Sequence, residues 1–464
     1  MVSLLRLLPW SPRVWLRMAL AWWRYGPGFA FLGEVAAVRF PERLALLDEE
    51  GQLTFAQLWK ESLELAGWLR QQGVGRGQLI GLSCRNHRSF LLGLLAITRL
   101  GADVMPLACE LPETVLRRYP LDRVVREPDC LGRLAVHLAP ARSGQLVVLT
   151  SGTTGIAKGV RRRPGLRQLL PTVRGLLHGL PLRPGRPLLV AIPLYHGYGL
   201  ACAALGLALG APLVLRRRYE IAPLVECAPN GVLVTVPTLL SRWLRSEPSV
   251  PSLAGVITGS APLEAGLCRQ LLDRLGPRLF NLYGSSEAGV IALAGPEQLR
   301  RSPGCVGRPL PGNRVRLLEG RILVNGPLAP PGWYETGDLG RWDEHGHLFV
   351  CGRADSMIVS GGENVYPSEL EEVLVECPGV LDSAVVAVDD PEFGRRLAAA
   401  VVGGVEEEEV LDWLRGRLER HKLPRSVRRL ESIPRNALGK LDRPELLRLL
   451  SGGEIGPTVE RPGL

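Results

Sequence analysis

The sequence has no paired cysteines and almost no lysine. Its nine cysteines stand singly, without a C-x-x-C pair and with an odd total. This spacing predicts reduced thiols in a cytoplasmic protein and argues against a disulfide framework or a zinc site. Lysine occurs only at positions 60, 158, 422 and 440, although lysine and arginine together number 56. Because an ammonium and a guanidinium are not interchangeable at a crowded site, the few lysines are candidates for specific roles.

A net charge of +10 is not accompanied by a long basic block interleaved with aromatic residues. The longest basic runs are Arg161–Arg163 and Arg216–Arg218. Binding of nucleic acid is therefore not favoured, and a basic surface suits phosphorylated small molecules or an anionic membrane equally well. With 46% hydrophobic and 22% charged residues, the composition is that of a globular chain of two or three domains.

Residues 1–33 contain no acidic residue. Arginines interrupt every apolar stretch long enough to span a bilayer, and no clear apolar core with a cleavage site indicates a signal peptide. Two alternatives remain: an amphipathic helix that lies on a membrane surface, or a helix that packs on the protein body. The aromatic residues of this segment that suit a membrane interface are Trp10, Trp15, Trp22, Trp23 and Tyr25.

Residues 188–215 lack Asp, Glu, Lys and Arg altogether. Prolines, four glycines and His196 divide this run into a strand at 188–192, a turn at 195–199, a helix at 200–209 and a strand at 213–215. The division predicts a fully buried βαβ unit rather than a membrane-spanning helix.

Apolar periodicity alternates between strand and helix patterns elsewhere in the chain. This alternation predicts an α/β fold built on a parallel sheet, followed by a smaller C-terminal part. The predicted strands are 44–47, 79–82, 232–236, 255–257, 382–388 and 397–402, and the predicted helices are 54–72, 88–100 and 367–375.

The stretch 149–160 reads LTSGTTGIAKGV and follows an apolar strand predicted at 145–149. Glycines let the backbone approach a ligand closely, while hydroxyl and N–H groups form a nest for phosphate oxygens. Lys158 adds a positive charge. The spacing differs from that of the G-x-x-x-x-G-K-[ST] loop, and a plain polar loop between a strand and a helix is the alternative. The candidate phosphate-binding residues are Thr150, Ser151, Gly152, Thr153, Thr154, Gly155 and Lys158.

Further motifs follow in the chain. Tyr283 offers a flat face to a nucleotide base, Glu287 offers a carboxylate to Mg²⁺, and Asp338 can accept hydrogen bonds from both hydroxyls of a ribose. The complete set comprises His196 in P-x-x-H-x-x-G, the loop of Gly259, Ser260 and Ala261, the run Asn281, Tyr283, Gly284, Ser285, Ser286 and Glu287, then Asp338, Arg353, Asp355, Gly361, Gly362, Glu363 and finally Lys440 in PRNALGK.

These motifs, in this order over residues 40–445, resemble the adenylate-forming (AMP-binding) superfamily of acyl-CoA synthetases, luciferases and peptide-synthetase adenylation domains. Within that superfamily the wording CRNHRSF, LFNLYGSSEAG and MIVSGGENVYPSELE looks most like bacterial fatty-acid CoA ligases. The resemblance implies a large N-terminal domain of layered α/β subdomains with a small β-barrel-like part, and a small mobile α+β C-terminal domain. The expected divisions are an amphipathic segment at 1–33, an N-terminal domain at 34–352, a hinge at 353–355, a C-terminal domain at 356–450 and a loose tail at 451–464.

The resemblance also implies roles for the motif residues, with ATP, Mg²⁺ and coenzyme A as cofactors and co-substrates. Lys440, Glu287 and His196 are the expected catalytic residues, and Thr150 joins Glu287 as a metal ligand. The loop at Gly259 is expected to pack on adenine, Asp338 to bind the ribose and Arg353 a phosphate. Gly361 and Gly362 are expected to let the pantetheine arm pass, beside Glu363, and Asp355 to be the hinge between two orientations of the C-terminal domain.

The implied activity is ATP-dependent activation of a medium- or long-chain fatty acid through acyl-AMP, with pyrophosphate release and transfer to CoA. The apolar helix at 200–209 supports an aliphatic acid. The alternatives are a fatty-acyl-AMP ligase that delivers to a carrier protein, an aryl-acid CoA ligase, and a non-catalytic relative. The expected location is the cytoplasm, with residues 1–33 at the inner face of the membrane, and the oligomeric state, a homodimer included, stays open.

Overall fold

The computed structural model divides into two compact units. One contains the residues up to Thr336 together with Gly340–Cys351, and the other contains Gly337–Leu339 and the chain from Gly352 onward. The residues that the structure describes are 11–109, 116–117, 119–136, 138–139, 141–150, 158–162, 166–246, 252–354, 358–360, 363–365, 367–390, 394–418, 422–435 and 441–450.

Helices and strands alternate through most of the described residues, as the apolar periodicity predicts. The helices are α1 Pro12–Tyr25, α2 Phe29–Arg39, α3 Phe55–Gln71, α4 Arg88–Arg99, α5 Leu166–Gly179, α6 Gly197–Leu209, α7 Ile221–Cys227, α8 Pro237–Arg245, α9 Ala265–Leu275, α10 Pro296–Arg301, α11 Pro367–Val375, α12 Glu407–Arg415 and α13 Arg443–Leu450. The strands are β1 Leu44–Asp48, β2 Gly51–Thr54, β3 Leu79–Ser83, β4 Asp103–Leu107, β5 Arg123–Arg126, β6 Leu146–Thr150, β7 Lys158–Arg162, β8 Leu188–Val190, β9 Leu213–Val214, β10 Val232–Thr235, β11 Gly255–Gly259, β12 Leu279–Ser285, β13 Gly289–Ala294, β14 Arg308–Pro309, β15 Arg314–Leu318, β16 Arg321–Asn325, β17 Tyr334–Trp342, β18 Leu348–Arg353, β19 Ile358–Ser360, β20 Glu363–Val365, β21 Val380–Asp390, β22 Gly394–Gly403 and β23 Ser426–Arg429.

A nine-stranded sheet forms the centre of the larger unit, in the order β14-β13-β12-β11-β10-β8-β9-β1-β2. Its middle strands are parallel and buried on both faces, so every residue of β10 is buried. Successive side chains of a strand point to opposite faces, and accordingly Val232 and Val234 join one hydrophobic cluster while Leu233 joins another. The charge-free run forms the predicted βαβ unit, because β8 and β9 are parallel neighbours joined through α6.

A second, five-stranded sheet has the order β5-β3-β4-β6-β7. Helix α3 begins with a capping box in which the Thr54 hydroxyl accepts from the backbone N–H of Gln57 at 3.2 Å, while the Gln57 side chain accepts from the backbone N–H of Thr54 at 2.8 Å. Helix α4 is buried along its whole length, and its leucines supply much of the core of this layer. A small four-stranded sheet has the order β15-β16-β17-β18, and Gly337–Leu339 of β17 and the end of β18 are counted with the smaller unit.

The smaller unit contains an α+β core built on the sheet β20-β19-β22-β21, with β23 beside β22. Strand β22 buries Leu397 and Ala399 on one face with α11 and α12. Its other face buries Ala398 and Ala400 with α13. The predicted class, an α/β protein with a large N-terminal part and a small C-terminal domain, is the class observed.

Helices α1 and α2 belong to the larger unit. Helix α1 packs on α2 through Ala21 and Tyr25, and α2 contacts α3, α4 and α6. The outer side of α1 carries exposed apolar side chains, which are Trp15, Leu16, Leu20, Trp22 and Trp23. The two alternatives for residues 1–33 are therefore compatible, since one helix face packs on the body and another faces outward. In the described part of the chain, the helices are too short or too polar to cross a bilayer.

Candidate active site

Strands β6 and β7 hold the two ends of the candidate phosphate loop. They pair antiparallel, with Thr150 directly opposite Lys158. The loop therefore joins two strands of a hairpin, which corrects the view of a loop between a strand and a helix. Donors for phosphate oxygens would come from the loop backbone itself rather than from a helix N-terminus. Ser151, Gly152, Thr153, Thr154 and Gly155 lie outside the described residues, and of Thr150 and Lys158 only the backbone is described.

The second group of candidate residues lies at one edge of the nine-stranded sheet. Strands β11 and β12 are parallel neighbours in which Gly259 pairs with Leu282, so the loop after Gly259 and the end of β12 share an edge. Ligands bind at such carboxyl ends of parallel strands. Ser260 has φ of 66°, a left-handed conformation that is uncommon for a residue with a side chain and is concentrated at functional sites. Ala261 follows it and is exposed.

Tyr283 is held by a chain of hydrogen bonds. Its hydroxyl donates to the Thr336 Oγ1 at 3.1 Å, and the Thr336 hydroxyl donates to the Ile322 carbonyl at 3.1 Å. A bulge between Tyr283 and Gly284 distorts the pairing of β12 with β13. Such bulges re-aim side chains near active sites.

A tight turn follows β12 and carries Ser286 and Glu287. Ser285 accepts a hydrogen bond at its Oγ from the backbone N–H of Ala288 at 3.0 Å, which closes the turn. Glu287 is half-buried within it. A carboxylate oxygen suits Mg²⁺, which is commonly bound by one or two carboxylates plus substrate phosphates. Among the described residues, no group of three or more His, Cys, Asp or Glu is arranged to hold a metal ion.

Asn281 is buried, and its side-chain N–H₂ donates to the Cys305 carbonyl at 3.0 Å. Its side-chain oxygen is also buried and has no hydrogen-bond partner. The amide group of this candidate residue therefore ties β12 to the segment before β14.

The P-x-x-H-x-x-G motif forms the turn between β8 and α6, with His196 as the residue before the helix. Gly199 makes this turn feasible, since a Cβ there would lie 2.2 Å from the Pro193 carbonyl oxygen. The Tyr195 and His196 rings are 4.5 Å apart. Burial raises the pKa of Tyr195 and raises that of Tyr198 further, so the surroundings of His196 are apolar and aromatic.

Asn86 is a residue of this site for which the sequence motifs predict no role. It is buried in the loop after β3, donates to the Ile192 carbonyl at 2.5 Å and accepts from the backbone N–H of Leu194 at 2.8 Å. It thereby holds the chain on both sides of Pro193 and positions the turn of His196. The stretch CRNHRSF was part of the resemblance, but no local pattern links position 86 to position 193.

Asp338 and Arg353 meet in the smaller unit. The Arg353 Nη1 lies 3.3 Å from the Asp338 Oδ1. Gly337, at φ of 78°, lies directly beneath the guanidinium, where a Cβ would be 2.9 Å from the Arg353 Nη2. The candidate ribose and phosphate residues are thus neighbours, although 15 positions separate them.

For the remaining candidate residues the structure does not describe the side chains. Asp355, Gly361, Gly362 and Lys440 lie outside the described residues, and of Glu363 only the strand backbone is described.

Comparison with known proteins identifies the family of the chain. The family model described as AMP-binding enzyme matches residues 33–119 and 134–328, and that described as AMP-binding enzyme C-terminal domain matches residues 369–440. The 2-succinylbenzoate–CoA ligase of Bacillus pumilus is 29% identical over 466 residues, covering 88% of this chain and 95% of the relative. The enzyme of that name from Bacillus cereus strain ATCC 14579 is 29% identical over 467 residues, covering 88% and 96%.

Solved structures of o-succinylbenzoate CoA synthetase from Bacillus subtilis share the fold. The complex with its acyl-adenylate intermediate has a TM-score of 0.78 at 25% identity and covers 90% of this chain and 98% of that one. The complex with ATP and magnesium has a TM-score of 0.77 at 25% identity, with coverage of 91% and 99%. These relatives are named for an aryl acid rather than a fatty acid. The narrower resemblance to bacterial fatty-acid CoA ligases, and with it a role in fatty-acid metabolism, is corrected accordingly.

Proposed function

Because the chain belongs to the AMP-binding enzyme family and is an AMP-forming acid–thiol ligase, we propose that its acid substrate is an aromatic carboxylic acid of the 2-succinylbenzoate kind. The support is the near full-length similarity to ligases named for that acid. The aromatic residues Tyr195 and Tyr198, which lie within the motif on either side of His196, suit a planar ring.

Helix α6, whose apolar sequence supported the expectation of an aliphatic acid, forms part of the hydrophobic core. Leu200, Ala203 and Leu207 on α6 are buried in the main hydrophobic core, so these side chains do not line an open channel. A saturated acid of medium or long chain is the second candidate to be compared.

The reaction needs two steps, because a carboxylate is too poor an electrophile for a thiol. The substrate carboxylate attacks the α-phosphorus of ATP, and pyrophosphate leaves as acyl-AMP forms. The CoA thiol then attacks the acyl carbonyl and AMP leaves. Bound Mg²⁺, held by Glu287 and Thr150 with substrate phosphates, supplies positive charge to the triphosphate.

We assign the chain's own groups as follows. The loop at 150–155 donates hydrogen bonds to phosphate oxygens, and Lys158 and Lys440 stabilise the negative charge that develops at phosphorus. Tyr283 and the loop at Gly259 contact the base, and Asp338 accepts hydrogen bonds from the ribose. Arg353 already lies beside Asp338, so a phosphate and a ribose can be bound by adjacent side chains. Asn86 is a positioning residue for His196.

A screen of pyrophosphate release over carboxylic acids tests the substrate. Benzoate derivatives, 2-succinylbenzoate and saturated acids of graded length are each supplied with ATP, Mg²⁺ and CoA. A higher kcat/KM for 2-succinylbenzoate or another aromatic acid supports the proposal. A maximum at a saturated acid of medium or long chain replaces it with the second candidate, and thioester formation only with a carrier protein would exclude CoA as the acceptor.

The outer side of α1 supports a second proposal, reversible attachment to the anionic inner face of the cytoplasmic membrane. Around this helix Trp15, Leu16, Leu20 and Trp23 occupy one continuous arc away from the face that packs on α2. Trp22 lies at one end of this arc and contacts Phe31 of α2, with the ring centroids 5.4 Å apart. The arginines at 13, 17 and 24 lie together at one border of this arc. Tryptophan and leucine with arginine beside them suit the boundary between acyl chains and anionic headgroups.

A further inference from the structure

A basic pocket opens in the larger unit at the carboxyl ends of two neighbouring strands. Glu49 follows β1 and the run Arg216–Arg218 follows β9, and β1 and β9 are parallel neighbours. Arg85, in the loop after β3, completes the basic lining. The pocket has a volume of about 630 Å³ and is lined by Glu49, Arg85, Arg216, Arg217, Arg218 and Glu220. This volume falls within the range of small-molecule sites, and the edge is the one at which α/β sheets bind ligands.

Exposed glutamates backed by a buried Asp48–His87 pair fix the loop that carries the three arginines. Glu49 accepts from the backbone N–H of Arg217 at 2.8 Å, and Glu50 accepts from the Arg217 side chain at 3.2 Å. Behind them, His87 lies 3.0 Å from the Glu50 carboxylate and 3.3 Å from that of Asp48. The loop is thus tied to β1, and the arginines on either side of Arg217 are held in place.

The charges of the lining favour an anion. Four arginines and two glutamates line the pocket, and Glu50 pairs with Arg217, so one positive charge remains after the three carboxylates are counted. Four like charges close together raise the free energy of the pocket, and an anion that pairs with them lowers it. The planar fork of arginine suits phosphate oxygens in particular.

A chain of neighbouring side chains links this pocket to the turn of His196. Burial raises the pKa of Tyr219, nearby Tyr195 raises it further, and Arg85 lowers it. Strand β8 leads into the turn of His196 and is the parallel neighbour of β9, so this turn and the run Arg216–Arg218 leave the sheet at the same edge. The pocket therefore lies at the edge that carries the turn expected to receive the acyl group.

We propose that this pocket binds the phosphates of the nucleotide end of coenzyme A. CoA carries a diphosphate and a 3′-phosphate at that end and its thiol at the other, so phosphates bound beside Arg85 and Arg218 direct the pantetheine arm toward the acyl group. The proposal rests on the proposed function, because it assigns the thiol acceptor a place on this chain.

Removal of arginines from the rim of the pocket tests the proposal through the second half-reaction. The double variant Arg85→Ala/Arg218→Ala should raise the KM for CoA about 10- to 100-fold, the loss expected for charged hydrogen bonds. It should change the KM for pantetheine, which has no nucleotide, less than twofold, and pyrophosphate release before CoA is added should be unchanged. The ratio of the KM for 3′-dephospho-CoA to the KM for CoA should also fall toward one. Arg218→Lys, which keeps the charge, should lie between wild type and Arg218→Ala.

Arg269→Ala, an exposed arginine on α9, is the matched control for loss of charge, and its KM for CoA should stay at the wild-type value. An unchanged KM for CoA in the double variant, or an equal rise for CoA and pantetheine, would overturn the proposal. Calorimetric titration with adenosine 3′,5′-bisphosphate measures the affinity of the same pocket without any acid substrate. This affinity tests the CoA site even if the screen identifies no acid substrate. Equal affinity for inorganic phosphate would show a general anion site and would also overturn the assignment to CoA.

Discussion

Asp48 and Arg88 form an ion pair deep in the larger unit. The Asp48 side chain is 0% exposed and that of Arg88 is 15% exposed, with Nη2 to Oδ1 at 2.6 Å and Nε to Oδ2 at 3.0 Å. Burial raises the pKa of Asp48, but hydrogen bonds from Arg88 and the nearby His87 outweigh that effect, so the pKa lies below its ordinary value.

Arg88→Ala should destabilise the protein by ~3–5 kcal/mol at pH 7, because it leaves Asp48 charged and buried without its partner. A group with a depressed folded pKa stabilises the fold above its unfolded pKa and loses that contribution as the pH falls through the folded value. The difference between wild type and variant should therefore shrink below about pH 4. Urea unfolding at pH 7 and at successively lower pH measures it.

Arg274→Ala is the control, because it removes an exposed arginine from helix α9 of the same unit, far from this network in the sequence. Two outcomes for Arg88→Ala would each mean that Asp48 is neutral in the native state. Either its loss of unfolding free energy is no greater than that of the control, or that loss does not change with pH.

Lys440 is the residue whose charge should matter most to the first half-reaction. Lys440→Ala should slow acyl-AMP formation by about 10²–10³-fold, or ~3–4 kcal/mol, because it removes positive charge from the developing transition state. A supplied acyl-AMP should still pass to CoA at nearly the normal rate. Single-turnover assays of the two half-reactions measure this.

Lys60→Ala is its control, since the Lys60 side chain is 77% exposed and pairs with Glu64 on the same helix at 3.9 Å. Both half-reactions of that variant should match wild type. Equal loss of both steps in Lys440→Ala would contradict the role assigned to it.

At the scale of the element, helix α1 presents a test that does not require cutting the chain. Deletion of residues 1–33 would remove part of α2, which contacts α3, α4 and α6, so the body would be damaged together with the membrane surface. Trp15→Ser/Trp23→Ser changes only exposed positions. It should weaken co-sedimentation with vesicles containing phosphatidylglycerol by about tenfold or more, because burial of an aromatic side chain contributes ~1.5–3 kcal/mol.

The control for this helix is Trp342→Ser, an exposed tryptophan on β17. It should bind the vesicles as wild type does. Activity on a soluble substrate and the melting temperature should be unchanged in both variants. Binding of the α1 variant at the wild-type level, or equal binding of wild type to neutral phosphatidylcholine vesicles, would refute attachment through this surface to anionic membrane.

At the scale of the whole molecule, the resemblance implies that the C-terminal domain rotates about Asp355 between the half-reactions. Asp355→Pro fixes φ at that position and should hold the domain in one orientation. If that orientation is the adenylating one, pyrophosphate is released once per site and acyl-CoA does not follow. Quenched-flow measurement of both products over one turnover tests this.

Asp355→Ala, which leaves φ free, should complete both steps. A normal yield of acyl-CoA in Asp355→Pro would mean that no rotation about this residue is needed.

The sequence by itself determined the fold class, the family and the buried βαβ unit. Helix α11 was predicted at the bounds observed, and strands β3 and β10 within one residue. These features depend on the period of apolar residues and on short motifs, both of which are local and can be read along the chain.

Only the tertiary structure decided which side chains meet. Asn86 bonds around Pro193 across more than a hundred residues, Arg353 lies beside Asp338, and Arg85 joins the run Arg216–Arg218 in one pocket. Strand β7, directly after the phosphate loop, was not predicted. Its residues Lys158–Arg162 are mostly basic and form a strand by pairing with β6. Contacts of these kinds depend on which segments meet in the folded chain, and a pattern of local periodicity carries no information on partners in space.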